Sequence, residues 1–258
     1  MILSEAARSD RLHFFPYDPQ LLACLAKPSQ TIPDVLATMQ AIDALTVDGD
    51  GLKWFNWLYF HVTQAVEARV QGGGFTDAAF LAELDVQFAQ LYFDALKASL
   101  SNAPMPGCWQ ALFSRRDQTP LARIQCALAG MNAHINHDLP IAIVSTCQSM
   151  SLAPQHGSSQ YTDYTSINVT LDSLIEEAKQ ELNVRLLGAV MPPVSTVEDT
   201  VAAWSMSAAR EAAWKNAELL WHLRGEALLT TGFLNTLDGL TTVMGKTIMI
   251  PVPQIPIP

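Results

Sequence analysis

Between residues 52 and 70 the large apolar side chains Trp54, Phe55, Leu58, Tyr59, Val62 and Val66 recur at three- and four-residue intervals. That spacing puts them on one face of an α-helix, and the triplet Gly72-Gly73-Gly74 ends the run. The same reading applies to every long segment. Thr31-Ile32-Pro33-Asp34 opens a helix, with a capping hydroxyl and an early proline, that ends near Asp48-Gly49-Asp50-Gly51. Thr76 caps a third helix that reaches about Leu100, before Pro104 and Pro106. Thr119-Pro120 opens a fourth that runs to Pro140, where the missing backbone donor and the restriction on Leu139 end or kink it. An apolar segment covers 141–150, and a polar loop is expected over 151–168. Helices are expected over 170–188 and 198–224, separated by Pro192-Pro193, with a shorter one over 230–246.

Nothing alternates strand with helix, and there is no internal repeat. The chain reads as all-α: a single multi-helix, bundle-like domain across 1–258. An irregular N-terminal arm (1–28) surrounds Phe14-Phe15-Pro16-Tyr17, and an extended proline-rich tail covers 247–258. The tail's alternating Pro and Ile suit an arm pinned to an apolar groove in this subunit or a neighbour, which makes a homo-oligomer through the tail one expectation.

Composition excludes several classes. An apolar fraction of 49% with 16% charged residues describes a folded, soluble chain. A net charge of -10, with Arg and Lys scattered apart from Arg115-Arg116, opposes binding to a phosphate backbone. The N-terminus carries Glu5, Arg8 and Asp10 and has no secretory apolar core, and no apolar run approaches the ~18 residues of a membrane span. Cys24, Cys108, Cys126 and Cys147 are widely spaced with no CxxC pair, which suits reduced thiols and a cytoplasmic location. Without GxGxxG or a P-loop, no nucleotide cofactor is expected, and no G-x-S-x-G elbow surrounds Ser145 or Ser149.

The densest chemistry lies in Asn132-Ala-His134-Ile-Asn-His137-Asp138-Leu-Pro140. On a helix His134 and Asp138 are one turn apart and His134 and His137 three residues apart, so all three can face one cleft. Imidazole and carboxylate ligands together suit Zn, Fe or Mn. They equally suit a general base, His134, whose ring an acid orients. The bland alternative is a helix end with imidazoles near its negative pole, although Asp138 is disfavoured there unless paired. Gly130, one turn earlier, leaves room for a facing helix or a ligand.

Three other helices place a polar residue on an apolar stripe: His61 with Trp54, Leu58 and Ala65; Asp85 with Leu81, Phe88 and Tyr92; Arg210 with Trp214, Ala217 and Trp221. If these faces are internal, Asp85 or Asp138 is expected to pair with Arg210. His61, Asp85 or His156 would then complete a metal site begun by His134, His137 and Asp138. The duller readings are a core histidine for His61, a snorkelling Arg210 and structural tryptophans.

The chain resembles the family of unknown function DUF5995. The resemblance is carried by Phe55-Asn-Trp-Leu-Tyr59, Val62-Thr63, Phe75-Thr-Asp77, Leu84-Asp85-Val-Gln-Phe88, Ala127 through Pro140, and Ala209-Arg-Glu-Ala-Ala-Trp214. It spans roughly 50–225 and brings no assigned activity with it. A looser similarity runs to the all-helical zinc-dependent phospholipase C and P1-nuclease group, which implies a metal cluster on several helices. This chain departs from that group, with no tryptophan near its N-terminus and only six histidines.

Two functional expectations follow. One is a metal-dependent enzyme, hydrolase or oxygenase, acting on a small, largely apolar molecule at His134, His137 and Asp138. In its metal-free form Arg210 stabilises an anion. The other is a non-catalytic binding or scaffold protein whose buried polar network pins helices together.

Overall fold

Several helix starts are capped by a nearby polar side chain. Thr31 accepts a hydrogen bond from the Asp34 amide at 3.3 Å, and the Asp34 carboxylate accepts the Thr31 amide at 3.0 Å, closing a reciprocal cap on α2 (Ile32–Leu45). Asp50 accepts the Leu52 amide at 2.9 Å and starts α3 (Gly51–Gln71). Asp77 starts α4 (Ala78–Leu100), one residue beyond the Thr76 expected from sequence. Thr76 instead gives its amide to Asp163.

The computed structural model describes residues 15–118, 121–174 and 206–251. Residues 1–14, the Thr119-Pro120 helix opening, the latter part of the helix expected over 170–188, the Pro192-Pro193 turn, the first part of the helix expected over 198–224 and the tail beyond residue 251 lie outside the described residues. Besides α2–α4 these contain α1 (Asp18–Cys24), α5 (Gly107–Phe113), α6 (Arg123–Ala133) and a π-helical turn (His134–Asp138). They continue with α7 (Leu139–Ser149), α8 (Ser159–Ser166), α9 (Met206–Leu223) and α10 (Ala227–Ile248). The backbone is also helical over 168–174. No strand occurs among the described residues, so the chain is all-α.

Several elements and bounds differ from those the sequence pattern predicts. Residues 18–24 are helical within the expected arm, because Asp18 caps backward onto the Phe15 amide and is buried against Arg116. Residues 159–166 are helical within the expected loop, started by Ser158 accepting the Tyr161 amide. The last helix runs from 227 to 248, longer than 230–246.

The organising element is α6, the π turn and α7 laid end to end. All residues of α6 from Ile124 to Ala133 are buried. Helices α3 and α10 pack on α6, while α4 and α9 pack on α7. Gly130 is where α3 comes closest: a Cβ there would lie 2.3 Å from Cγ of Phe55, so the space it leaves is filled by a facing helix. The kink expected at Pro140 is a slip in hydrogen-bond register. One turn of wider π geometry precedes the proline, which then sits in the first turn of α7, where an absent N–H is tolerated.

Candidate functional site

The π turn gives the His-Asp motif its shape. Within it the side chains of His134 and His137 both meet Asp138. The Asp138 carboxylate is buried and takes three partners: Trp109 Nε1 at 2.9 Å and His134 Nδ1 at 3.1 Å on Oδ2, and His137 Nδ1 at 2.7 Å on Oδ1. Burial pushes its pKa up, but the hydrogen bonds from His134 and His137 outweigh this and hold it below the usual carboxylate range. An ionised Asp138 only accepts, so each imidazole carries a proton on Nδ1 and turns Nε2 away from it.

The two imidazoles then differ. His134 is enclosed: Phe88 stacks on it at 3.4 Å, the Tyr59 ring lies 4.4 Å away, and Phe55 and Trp109 complete the cage. Burial lowers its pKa against the pull of Asp138, and its Nε2 has no hydrogen-bond partner. His137 faces α5 and α10, where Cys108 Sγ, His137 and the Asp238 carboxylate place ligand atoms within 4.8 Å of one another. Asp238 is half-buried and also accepts the Gly107 and Cys108 amides at 3.0 and 2.9 Å. Burial, with Asp138 and Asp238 beside it, raises the Cys108 pKa far above the ordinary thiol value, so this is no activated cysteine nucleophile. Asn132 donates to the Thr241 carbonyl at 2.9 Å and accepts from Asn136 at 3.0 Å, tying the motif to α10.

On the far side of His134, between α3, α4, α7 and α9, lies a cavity of about 40 Å³, open on one side. Tyr59, Asp85 and Arg210 supply its polar wall, and Val62, Val66, Leu81, Leu84, Phe88 and Leu139 much of the rest. Asp85 is buried and its Oδ2 has no hydrogen-bond partner. Burial, with the charge of Glu67, raises its pKa to about 8. The Tyr59 hydroxyl and the Thr63 hydroxyl lie one turn apart without making a hydrogen bond of good geometry. Burial and the charges of Asp85 and Asp138 keep the Tyr59 phenol protonated.

The structure brings His134, His137 and Asp138 together but leaves the other anticipated residues apart from them. Asp85 belongs to the cavity. Half-buried His61 has Nδ1 at 2.7 Å from the Trp57 carbonyl, and His156 lies on Tyr161 with its amide bonded to Glu218. Arg210 pairs with neither Asp85 nor Asp138 among the described residues. It donates to Asn168 Oδ1 at 2.7 Å and the Tyr164 carbonyl at 2.9 Å, and its guanidinium lies 4.0 Å over the Tyr164 ring. Carbonyl, amide and ring contacts therefore stand in for the expected carboxylate. Cys108, Asp238, Trp109 and Tyr59 were not singled out as site residues. Asp238 alone left a signal, as one of only two charged residues in α10, the other being Lys246.

No helix of the described residues is long and apolar enough to cross a membrane. Comparison with curated proteins and with solved structures finds no match. The family model of DUF5995, a family of unknown function, matches residues 32–251, and the chain belongs to that family.

Proposed function

We propose that this chain is an acid–base enzyme for a small, largely apolar molecule whose oxygen-bearing head enters the cavity between Tyr59, Asp85 and Arg210. One observation carries the reading: two buried polar atoms without hydrogen-bond partners, Asp85 Oδ2 and the Tyr59 hydroxyl, border the same small space. Buried orphans of this kind cost roughly 1–3 kcal/mol each and are retained where function uses them. A protonated Asp85, the Tyr59 phenol and the Arg210 guanidinium are all donors, so they select an acceptor such as a carboxylate or carbonyl oxygen. About 40 Å³ admits only such a head, and the aliphatic wall favours an apolar body along the open side.

In this reading Tyr59 donates a hydrogen bond to the substrate oxygen and Arg210 stabilises the negative charge that develops on it, which Asp85 then neutralises by passing over its proton, becoming a carboxylate itself. A carboxyl titrating near 8 is suited to that task at neutral pH. His134 stands behind, fixing the Tyr59 and Phe88 rings that form the inner wall.

The test is a binding and turnover screen of alkyl and aryl carboxylic acids, aldehydes and esters by calorimetry and NMR. Wild type is expected to bind one of these classes, with Asp85→Leu weakening it at least roughly tenfold, about 1.4 kcal/mol, while the fold is retained. Turnover should decline as pH rises through the Asp85 titration. A wild type that binds none of them, beside an Asp85→Leu variant that is simply more stable, overturns the reading. It would favour the scaffold alternative, which the full satisfaction of Asp138 by Trp109, His134 and His137 already suits.

A further inference from the structure

On the α5 and α10 side of the π turn, and independently of the cavity, the geometry points to a divalent-cation site formed by Cys108 Sγ, His137 Nε2 and the Asp238 carboxylate, of the sulfur–nitrogen–oxygen type that selects zinc. The Cys108 sulfur, a ring nitrogen of His137 and an Asp238 carboxylate oxygen lie within 4.8 Å of one another. Ligands around a tetrahedral zinc, with bonds of roughly 2.0–2.3 Å, stand about 3.3–3.8 Å apart, so small side-chain movements close the set.

Three features of the surroundings are those of a metal site rather than a chance meeting of side chains. The first is the orientation of His137. Its Nδ1 is engaged at 2.7 Å by a carboxylate that is itself fixed by Trp109 and His134, which leaves Nε2 as the coordinating atom. A histidine ligand whose other nitrogen donates to a carboxylate is the usual way a protein holds an imidazole on zinc. Secondly, Asp238 is held by the amides of Gly107 and Cys108, so the residue that would bind the metal is locked to the backbone of the cysteine that would share it. Gly107 permits this approach: a Cβ there would lie 2.7 Å from Thr242 Oγ1 and 3.2 Å from Asp238 Oδ2. Thirdly, the ligands come from three separate elements, α5, the π turn and α10, and burial grades from a fully buried Cys108 to a half-buried Asp238. The fourth coordination position therefore falls on the Asp238 side, toward solvent, which is the arrangement of a metal that holds water or an exchangeable ligand.

A bland account is available for Asp238 alone, as a cap on the first turn of α5. It explains the two amide bonds, and a hydrogen bond from the thiol to Asp238 explains the approach of Cys108, but neither explains why a carboxylate-oriented imidazole converges on the same group.

The deciding experiment titrates reduced, tag-free full-length protein with Co(II), then displaces the cobalt with Zn(II). One equivalent of Co(II) should produce a near-ultraviolet thiolate-to-cobalt charge-transfer band and the intense visible bands of a four-coordinate ion. Zinc should abolish both. The charge-transfer band should vanish in Cys108→Ser. Affinity should fall roughly 10–100-fold in Asp138→Asn with the spectrum unchanged, because that carboxylate only orients His137. A wild type that gives no thiolate-to-cobalt band with Co(II) in micromolar excess overturns the proposal whether or not any variant folds. So does a band that persists in Cys108→Ser, which would place the ion at other side chains. Because no arm of this experiment uses the Asp85 cavity, its outcome and that of the ligand screen can fail separately.

Discussion

Asp85 makes the sharpest single-residue case. An unfolded chain releases that proton near pH 4, whereas in the fold, buried and near Glu67, the carboxyl keeps it to about pH 8. Between those values the folded state binds more protons than the unfolded one, so Asp85 makes stability fall as pH rises, with a slope of up to roughly 1.4 kcal/mol per pH unit. Asp85→Asn, which cannot ionise, should flatten the difference between urea melts at pH 5 and pH 7.5 and be the more stable protein at the higher value. A variant whose pH dependence matches wild type would show that Asp85 is ionised in the fold. The buried position of Asp85 was legible because Leu81, Phe88 and Tyr92 share its helical face. Its partner was not, since an apolar stripe reveals that a carboxylate is buried without revealing what faces it. Arg210 was drawn to the Tyr164 carbonyl and Asn168 across a turn that reads as loop.

At the scale of the element, helix ends were readable where the cap is local and unreadable where it comes from afar. Thr31 and Asp34 close their cap within four residues and stand out in the sequence. Ahead of the Asp77 cap, the approach to α4 is held from α8: the Asp163 carboxylate takes the Thr76 amide at 3.1 Å and the Asp77 amide at 2.6 Å. Asp163→Ala removes both acceptors and should destabilise the protein by about 2 kcal/mol. Hydrogen exchange is expected to quicken at the start of α4, while amides in its middle change only with global stability. Uniform loss of protection, with no excess at 76–81, would mean that Asp163 supports α8 instead. The π turn follows the same logic. His134, His137 and Asp138 are legible as a group at helical spacing, but the π turn and the pairing of both imidazoles with one carboxylate are not. Cys108 was hidden for a further reason: Pro104 and Pro106 make its segment read as a break, when it is a short helix that α10 packs against.

Across the whole molecule, the buried cluster around Arg116 joins parts of the chain that no local pattern connects. Its Nη2 lies 2.5 Å from Asp18 of α1 and 2.9 Å from Asp50, the cap of α3, and the Tyr17 hydroxyl donates to Asp50 at 3.0 Å. The Arg116 guanidinium also sits 5.0 Å from the Phe15 ring, so the segment expected to be an irregular arm is anchored to the core by charge. In the sequence Arg115-Arg116 reads only as a small basic patch, because burial of an arginine depends on two aspartates far away in the chain. Removing the cation while leaving the carboxylates enclosed is the costly half of such a network. Arg116→Met should therefore destabilise the fold by roughly 3–5 kcal/mol. The loss should be nearly independent of salt, since ions do not screen a pair this deeply buried. Adding Asp18→Leu should restore part of it, because one uncompensated charge then leaves the interior. Asp50 must stay, since it caps α3 and accepts from Tyr17 as well. Chemical melts of the two variants at low and high ionic strength measure all three expectations. A loss below about 1 kcal/mol, or one that salt erases, would place Arg116 at a solvated surface, detach α1 from the core, and remove the reason for reading the early chain as part of the helical body.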